Sequence, residues 1–178
     1  MLPRTIATAL QMPKLNAADF KATKFDTTEV KAKFGNHLLR FIAEDCPKAL
    51  WTKIFYNRLS MTFSNIAEYN IHGFWNTWFT TTSDQIEFLQ NIAKYPCWGD
   101  PEFTYSDVER VVRARVTKSA IIPWKQRILA DERKKKDLAE LARLKSIYEE
   151  KPLPDAQIES QARPPAVPIL AHQTDLFS

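Results

Sequence analysis

Glycine is nearly missing from this chain, at 3 of 178 residues. Folds built on tight hairpins use glycine at positive-φ turn positions, so its scarcity argues against a β-rich architecture and for an all-α one. Cysteine is as scarce. Cys46 and Cys97 are too few for a disulfide scaffold or a cysteine-rich zinc site and form no Cys-x-x-Cys pair, so reduced thiols are expected. The histidines are His37, His72 and His172, none of them in an HExxH element or a His–Cys cluster. A glycine-rich phosphate loop is lacking, and the acids are not spaced to hold two metal ions. These absences predict a non-enzymatic protein with no catalytic residues, no metal and no cofactor. Long hydrophobic runs are missing too. No stretch approaches the roughly 18 apolar residues of a membrane span. Met1 to Leu15, apolar only over Ile6 to Leu10 and cut by Gln11 and Pro13, does not read as a signal peptide. The expectation is a cytoplasmic protein with no membrane partner.

What is present suffices for one folded domain. Hydrophobic residues make up 44% of the chain, enough for a single core plus a tail. Residues 1–25, with Pro3, Pro13 and little periodicity, read as an N-terminal arm that is extended or only partly helical. Order is expected from Asp26, where Asp26-Thr27-Thr28-Glu29 has the spacing of a helix start and Val30, Phe34, Leu38, Phe41 and Ile42 recur on one face. Pro47 closes that helix. A second helix is expected over 48–64, with a broad apolar face of Leu50, Trp51, Ile54, Phe55 and Leu59.

Residues 65–81 are dense in aromatics (Tyr69, Phe74, Trp75, Trp78, Phe79), with Gly73 as the break between a turn and a short helix. A stacking platform for single-stranded nucleic acid would need interleaved cations, and no Lys or Arg lies between Arg58 and Lys94, so these rings are read as core. Thr82-Ser83-Asp84-Gln85 opens a helix carrying Ile86, Leu89 and Ile92, which Pro96 closes. Ser106-Asp107-Val108-Glu109 opens another, with Val108, Val111, Val112 and Val116 inward.

From Arg110 to Arg127 the charges are Arg110, Arg113, Arg115, Lys118, Lys125 and Arg127, with no acid among them. With a net charge of +4, this basic segment is a candidate surface for duplex DNA, against the plainer reading of a solvated helix face. The stretch from about Trp124 to Glu150 shifts to Ala, Glu, Lys, Leu and Arg and reads as one long helix. Its narrow seam of Leu138, Leu141, Ala142 and Tyr148 offers a route to a homodimer through the 125–150 helix. The whole is an all-α single domain of about five to six helices over 26–150, with a long C-terminal helix and a disordered Pro-rich tail over 151–178. Pro152, Pro154, Pro164, Pro165 and Pro168 interrupt that tail, and its Gln, Ser and Ala residues supply no core.

The sequence closes on Gln173-Thr174-Asp175-Leu176-Phe177-Ser178. Gln173 to Phe177 resembles the short peptide, usually Gln-Leu-(Ser/Asp)-Leu-Phe, with which bacterial replication and repair proteins dock on the β sliding clamp, the β subunit of DNA polymerase III. Thr174 departs from the pattern, where Leu is usual. The resemblance covers about 3% of the chain. It implies that Leu176 and Phe177 fill an apolar pocket, Gln173 hydrogen-bonds in a polar subsite and Asp175 faces solvent. The function it implies is that of a bacterial, plasmid or phage accessory or regulatory factor in DNA replication or repair. A DNA-binding regulator of a mobile element, using residues 110–127, is the alternative.

Overall fold

A computed structural model describes residues 2–96 and 99–149, and in these residues the chain is helical throughout, with no strand. Seven α-helices are described: α1 (Arg4–Gln11), α2 (Thr28–Ala43), α3 (Lys53–Thr62), α4 (Ile71–Trp78), α5 (Thr82–Lys94), α6 (Ser106–Lys118) and α7 (Ile121–Glu149). Three short 3-10 turns join them, Ala17–Asp19, Lys48–Leu50 and Ser64–Ile66. The chain divides into a unit ending at Asp137 and one beginning at Leu138. The first holds the core. In the second, Leu138, Leu141, Ala142 and Tyr148 of the expected dimer seam are all exposed.

The central helix is α2, with Phe34, Leu38, Leu39, Phe41 and Ile42 all buried, in keeping with its 3.6-residue period. Packed around Phe41 are Phe55 at 5.2 Å and Phe79 at 5.1 Å between ring centroids, while Trp51 sits 5.3 Å from Phe74 and Phe79. The aromatic stretch thus lies in the core, apart from Tyr69, which is fully exposed. Trp78 donates to the Ile66 carbonyl at 3.1 Å, which satisfies its indole while the ring is buried.

The arm departs from expectation. Structure begins at residue 2 and not at Asp26, because the arm packs against α2 and α6 and contributes Leu2, Leu10, Leu15 and Phe20 to the core. Leu2, Ile6 and Leu10 recur every four residues, a helical stripe masked in the sequence by neighbouring prolines. Its backbone is held by side chains far along the chain. Asn36 accepts from the Leu15 amide and donates to the Leu15 carbonyl, both at 2.9 Å. Arg115 donates to the carbonyls of Leu10, at 3.0 Å, and Pro13. The Asp107 carboxylate accepts from the Lys21 amide at 3.0 Å. Gly35 lets α2 come close here, since a Cβ would stand 2.7 Å from Leu15 Cδ1 and 3.2 Å from Val108 Cγ1.

Several helix ends also differ. Thr27 and not Asp26 is the N-cap of α2, without a side-chain bond, and Asp26 turns its carboxylate to Arg58 at 3.0 Å. The expected 48–64 helix is a 3-10 turn followed by α3, whose buried face is Phe55, Leu59 and Thr62, so Ile54 is left exposed. Gly73 lies inside α4, where Asn70 caps the Gly73 amide at 2.7 Å. On α5 the capping box forms one residue earlier than expected, between Thr81 and Asp84. At α6 no box forms: the helix already begins at Ser106 behind Tyr105, and Glu109, the other member of the expected box, pairs with Arg113.

If the arm belongs to the core, Leu10→Ala lowers stability by about 2–5 kcal/mol, comparable to other fully buried leucines, and Phe41→Ala by about 3–5 kcal/mol. Urea denaturation of each variant measures this. A Leu10→Ala change worth under about 0.5 kcal/mol would mean the arm is dispensable.

Candidate functional site

The basic segment does not act as one surface. Lys125, near the start of α7, is buried, and its ammonium donates to Asp45 and to the Gln85 carboxamide. It is therefore removed from the candidate DNA contacts, since an ammonium committed inside the fold cannot reach a phosphate. Arg113 donates to the carbonyls of Ile92 at 3.4 Å and Tyr95 at 3.3 Å and pairs with Glu109 at 3.6 Å, tying α6 to the end of α5. Arg115 is partly buried on the arm carbonyls, and burial lowers its pKa, with Asp19 opposing. Of the six cations, Arg110, Lys118 and Arg127 remain exposed.

Lys125 also explains a strained turn. Asp45 and Cys46 both have positive φ, 67° and 55°, at the end of α2, a conformation that costs ordinary residues roughly 1–2 kcal/mol each. The turn closes α2 with a Cys46 amide bond to the Phe41 carbonyl at 2.8 Å, and the Asp45–Lys125 pair holds it in place. Burial pushes the Cys46 thiol up to about 12, with Lys125 opposing only in part, so the free thiol stays protonated at neutral pH.

A second buried cation organises the other side of the unit. Lys31, on α2, is 0% exposed and bonds Asp107 at 3.1 and 3.2 Å and the Pro101 carbonyl at 2.7 Å. Its ammonium lies 5.4 Å from the Tyr105 ring centroid, and the Arg58 guanidinium lies 5.7 Å from it. Tyr105 is in turn edge-on to Phe34 at 5.6 Å.

Beside Tyr105 opens a cleft of about 580 Å³ between the 23–26 turn, α3 and residues 103–109. Asp26 and Arg58 form an ion pair in its wall. Burial, reinforced by Asp26, pushes the Tyr105 phenol above its ordinary range, with Arg58 working against them. The phenol oxygen itself is shielded from solvent. No motif in the sequence marks this cleft, because its walls come from three separated stretches. A second cavity of about 390 Å³ shares Ile54 and Arg58 with it and includes His37, whose Nε2 lies 3.1 Å from the Leu50 carbonyl and whose ring packs on Phe55.

Among the described residues no group of three or more His, Cys, Asp or Glu side chains is placed to hold a metal ion, and no helix is long and apolar enough to cross a membrane. Gln173, Thr174, Asp175, Leu176 and Phe177 lie outside the described residues.

The two classes of cation are separable by experiment. Lys125→Ala is expected to cost at least about 2 kcal/mol through lost packing of its buried stem and the released turn, and Arg127→Ala less than about 0.5 kcal/mol. In a Cys97→Ser background, iodoacetamide at pH 8 should leave Cys46 unmodified until urea unfolds the chain. Rapid alkylation of the folded protein would contradict its burial. The chain matches no protein-family model, no curated protein and no solved structure, so its function is read from its own residues.

Proposed function

We propose that this protein is a non-enzymatic accessory or regulatory factor of DNA replication or repair that docks on the β sliding clamp through Gln173 to Phe177. The observation that carries the reading is the peptide itself, Gln-Thr-Asp-Leu-Phe. Its aliphatic–aromatic pair and carboxamide are the groups that an apolar pocket beside a polar subsite selects. The preceding residues, rich in Pro, Gln, Ser and Ala, suit a tether, because they hold too little apolar surface to compete with the clamp for the peptide. Burying Leu176 and Phe177 contributes roughly 1.5–3 kcal/mol each, offset by the cost of ordering the chain, which gives a weak to moderate affinity.

A second reading, contact with duplex DNA, is supported by the exposure of Arg110, Lys118 and Arg127. Three cations are a smaller footprint than the six in sequence, so the salt dependence should be shallow. Each neutralised phosphate adds about 0.9 to the log–log slope. The two readings are compatible, since a factor seated on the clamp lies close to the duplex the clamp encircles.

Calorimetric titration of a purified bacterial clamp with the full chain, and with a chain lacking residues 173–178, tests the first. Binding should be lost on truncation. Leu176→Ala with Phe177→Ala should weaken it by about 30-fold, roughly 2 kcal/mol, and leave the thermal midpoint unaltered. Gln173→Ala should cost less, about 1 kcal/mol. Equal binding by both chains, or by neither, would remove the proposal. For the second, replacing Arg110, Lys118 and Arg127 with Ser should lower the salt slope of duplex affinity by as much as about 2.7. An unchanged slope, or no duplex binding at low salt, would remove it.

A further inference from the structure

Neither reading uses the groove along α2. Lys33, Asn36, His37 and Arg40 recur at three- and four-residue steps on one face of that helix, and with Gln11 and Lys14 of the arm they line a cavity of about 530 Å³. Its three cations are exposed, and no acid lines it. Lys14 and Lys33 make no hydrogen bond or ion pair among the described residues, and Arg40 donates through Nε to Glu44, four residues along α2, at 2.7 Å. Lys31, Arg113, Arg115 and Lys125 are spent inside the fold, whereas these three leave their charge open to an anion. The wall that carries Lys14 is fixed. Asn36 bonds the Leu15 amide and carbonyl, both at 2.9 Å, and Arg115 bonds the Pro13 carbonyl, so the backbone is held on either side of Lys14. Lys33 and His37 also line the second cavity, of about 390 Å³, together with Val30, Phe34, Ile54 and Phe55. Arg58, which lines it too, is already paired with Asp26 at 3.0 Å. A cationic cavity thus runs into an apolar one through two shared side chains.

We propose that this groove binds single-stranded nucleic acid, with backbone phosphates at Lys14, Lys33 and Arg40 and a base in the apolar cavity against Phe34, Ile54 and Phe55. Cations interleaved with apolar and aromatic side chains match a charged backbone that carries bases with open apolar faces. A duplex keeps its bases stacked inside and would leave the apolar cavity uncovered. Lys33 and Arg40, seven residues apart, span about 10 Å along the helix axis, further than one phosphate group reaches, so the row fits a strand. The groove is separate from the terminal peptide and from Arg110, Lys118 and Arg127, and it rests on neither reading above.

Fluorescence anisotropy of a labelled oligothymidylate of about ten nucleotides, titrated with the full chain over a range of salt, tests this. Saturable binding is expected, with a log–log salt slope of roughly 2, since each phosphate neutralised on a single strand contributes about 0.7. Replacing Lys14, Lys33 and Arg40 with Ser should remove that slope while the melting temperature holds, because an exposed pair such as Arg40–Glu44 adds little to the fold. Lys33→Ser alone should lower the slope by about 0.7. Replacing Arg110, Lys118 and Arg127 with Ser should leave affinity for this strand unaltered. Ile54→Ser, at a position 76% exposed, should weaken the oligonucleotide about five-fold, the low end of one stacked base, and leave a polyphosphate of the same length unaffected. The proposal is overturned by absence of saturable binding at low salt, by a slope that both the triple replacement and Lys33→Ser leave unchanged, or by Ile54→Ser without effect on the oligonucleotide. It is also overturned if the polyphosphate binds as tightly as the oligonucleotide, which would make the groove a reader of charge alone, or if a duplex of the same length does. Thymidine monophosphate displacing the strand at equal concentration would make a free nucleotide the occupant and overturn the strand.

Discussion

The helical unit depends on one ring. Trp51, in the link between α2 and α3, has the rings of Phe41, Phe55, Tyr56, Phe74, Trp75 and Phe79 within 6.0 Å, centroid to centroid. Those partners come from α2, α3, α4 and the segment leading into α5, so one side chain outside any α-helix sets the spacing of the helices around it. All six of these pairs are tilted or edge-to-face, arrangements that add attraction beyond the area they bury. The cluster also accounts for the shortness of α3 and α4. Breaks at Phe63 and Phe79 turn the chain so that each short helix delivers its rings to the same point.

Two buried lysines do for the rest of the unit what the rings do for its centre. Lys31 ties α2 to residues 101–107, and Lys125 ties α7 to the strained turn after α2 and to α5. Buried ammonium groups are costly to desolvate and persist where oxygen ligands surround them. Lys31 has a carboxylate and a carbonyl, and Lys125 a carboxylate and a carboxamide. Their worth lies in geometry, since each accepts only one arrangement of its partners. The same logic spends basic residues internally: Arg113 and Arg115 bind carbonyls of neighbouring segments, and a sequence rich in cations presents fewer of them to a partner than its charge suggests.

Two surfaces of different character follow. The proposed docking peptide is a short linear string whose groups are contiguous in sequence, so the proposal does not depend on the fold. The cleft beside Tyr105 is composite. Its walls exist only because the 23–26 turn, α3 and residues 103–109 meet. Asp26 contributes to that meeting twice, holding the 23–26 turn through the Thr23 hydroxyl and Arg58 on α3 through its carboxylate.

The sequence by itself determined the helical class, the burial of most aromatics over 65–81, the inward valines of α6, the long α7 and the terminal peptide. These depend on local period, composition or a contiguous string, and such signals do not need the rest of the chain. Tertiary structure decided the roles of individual polar groups. Lys125 and Arg127 stand two residues apart with the same formal charge, yet one is buried against Asp45 and the other faces solvent. Asp107, which had no separate role in the sequence, became the counter-ion of Lys31, 76 residues away. The arm was hidden for a related reason: its helix is short, and its order comes from Asn36, Arg115 and Asp107, groups distant in sequence. Long-range partners of this kind leave no periodic trace, which is why the cleft and the arm emerge only in the folded chain.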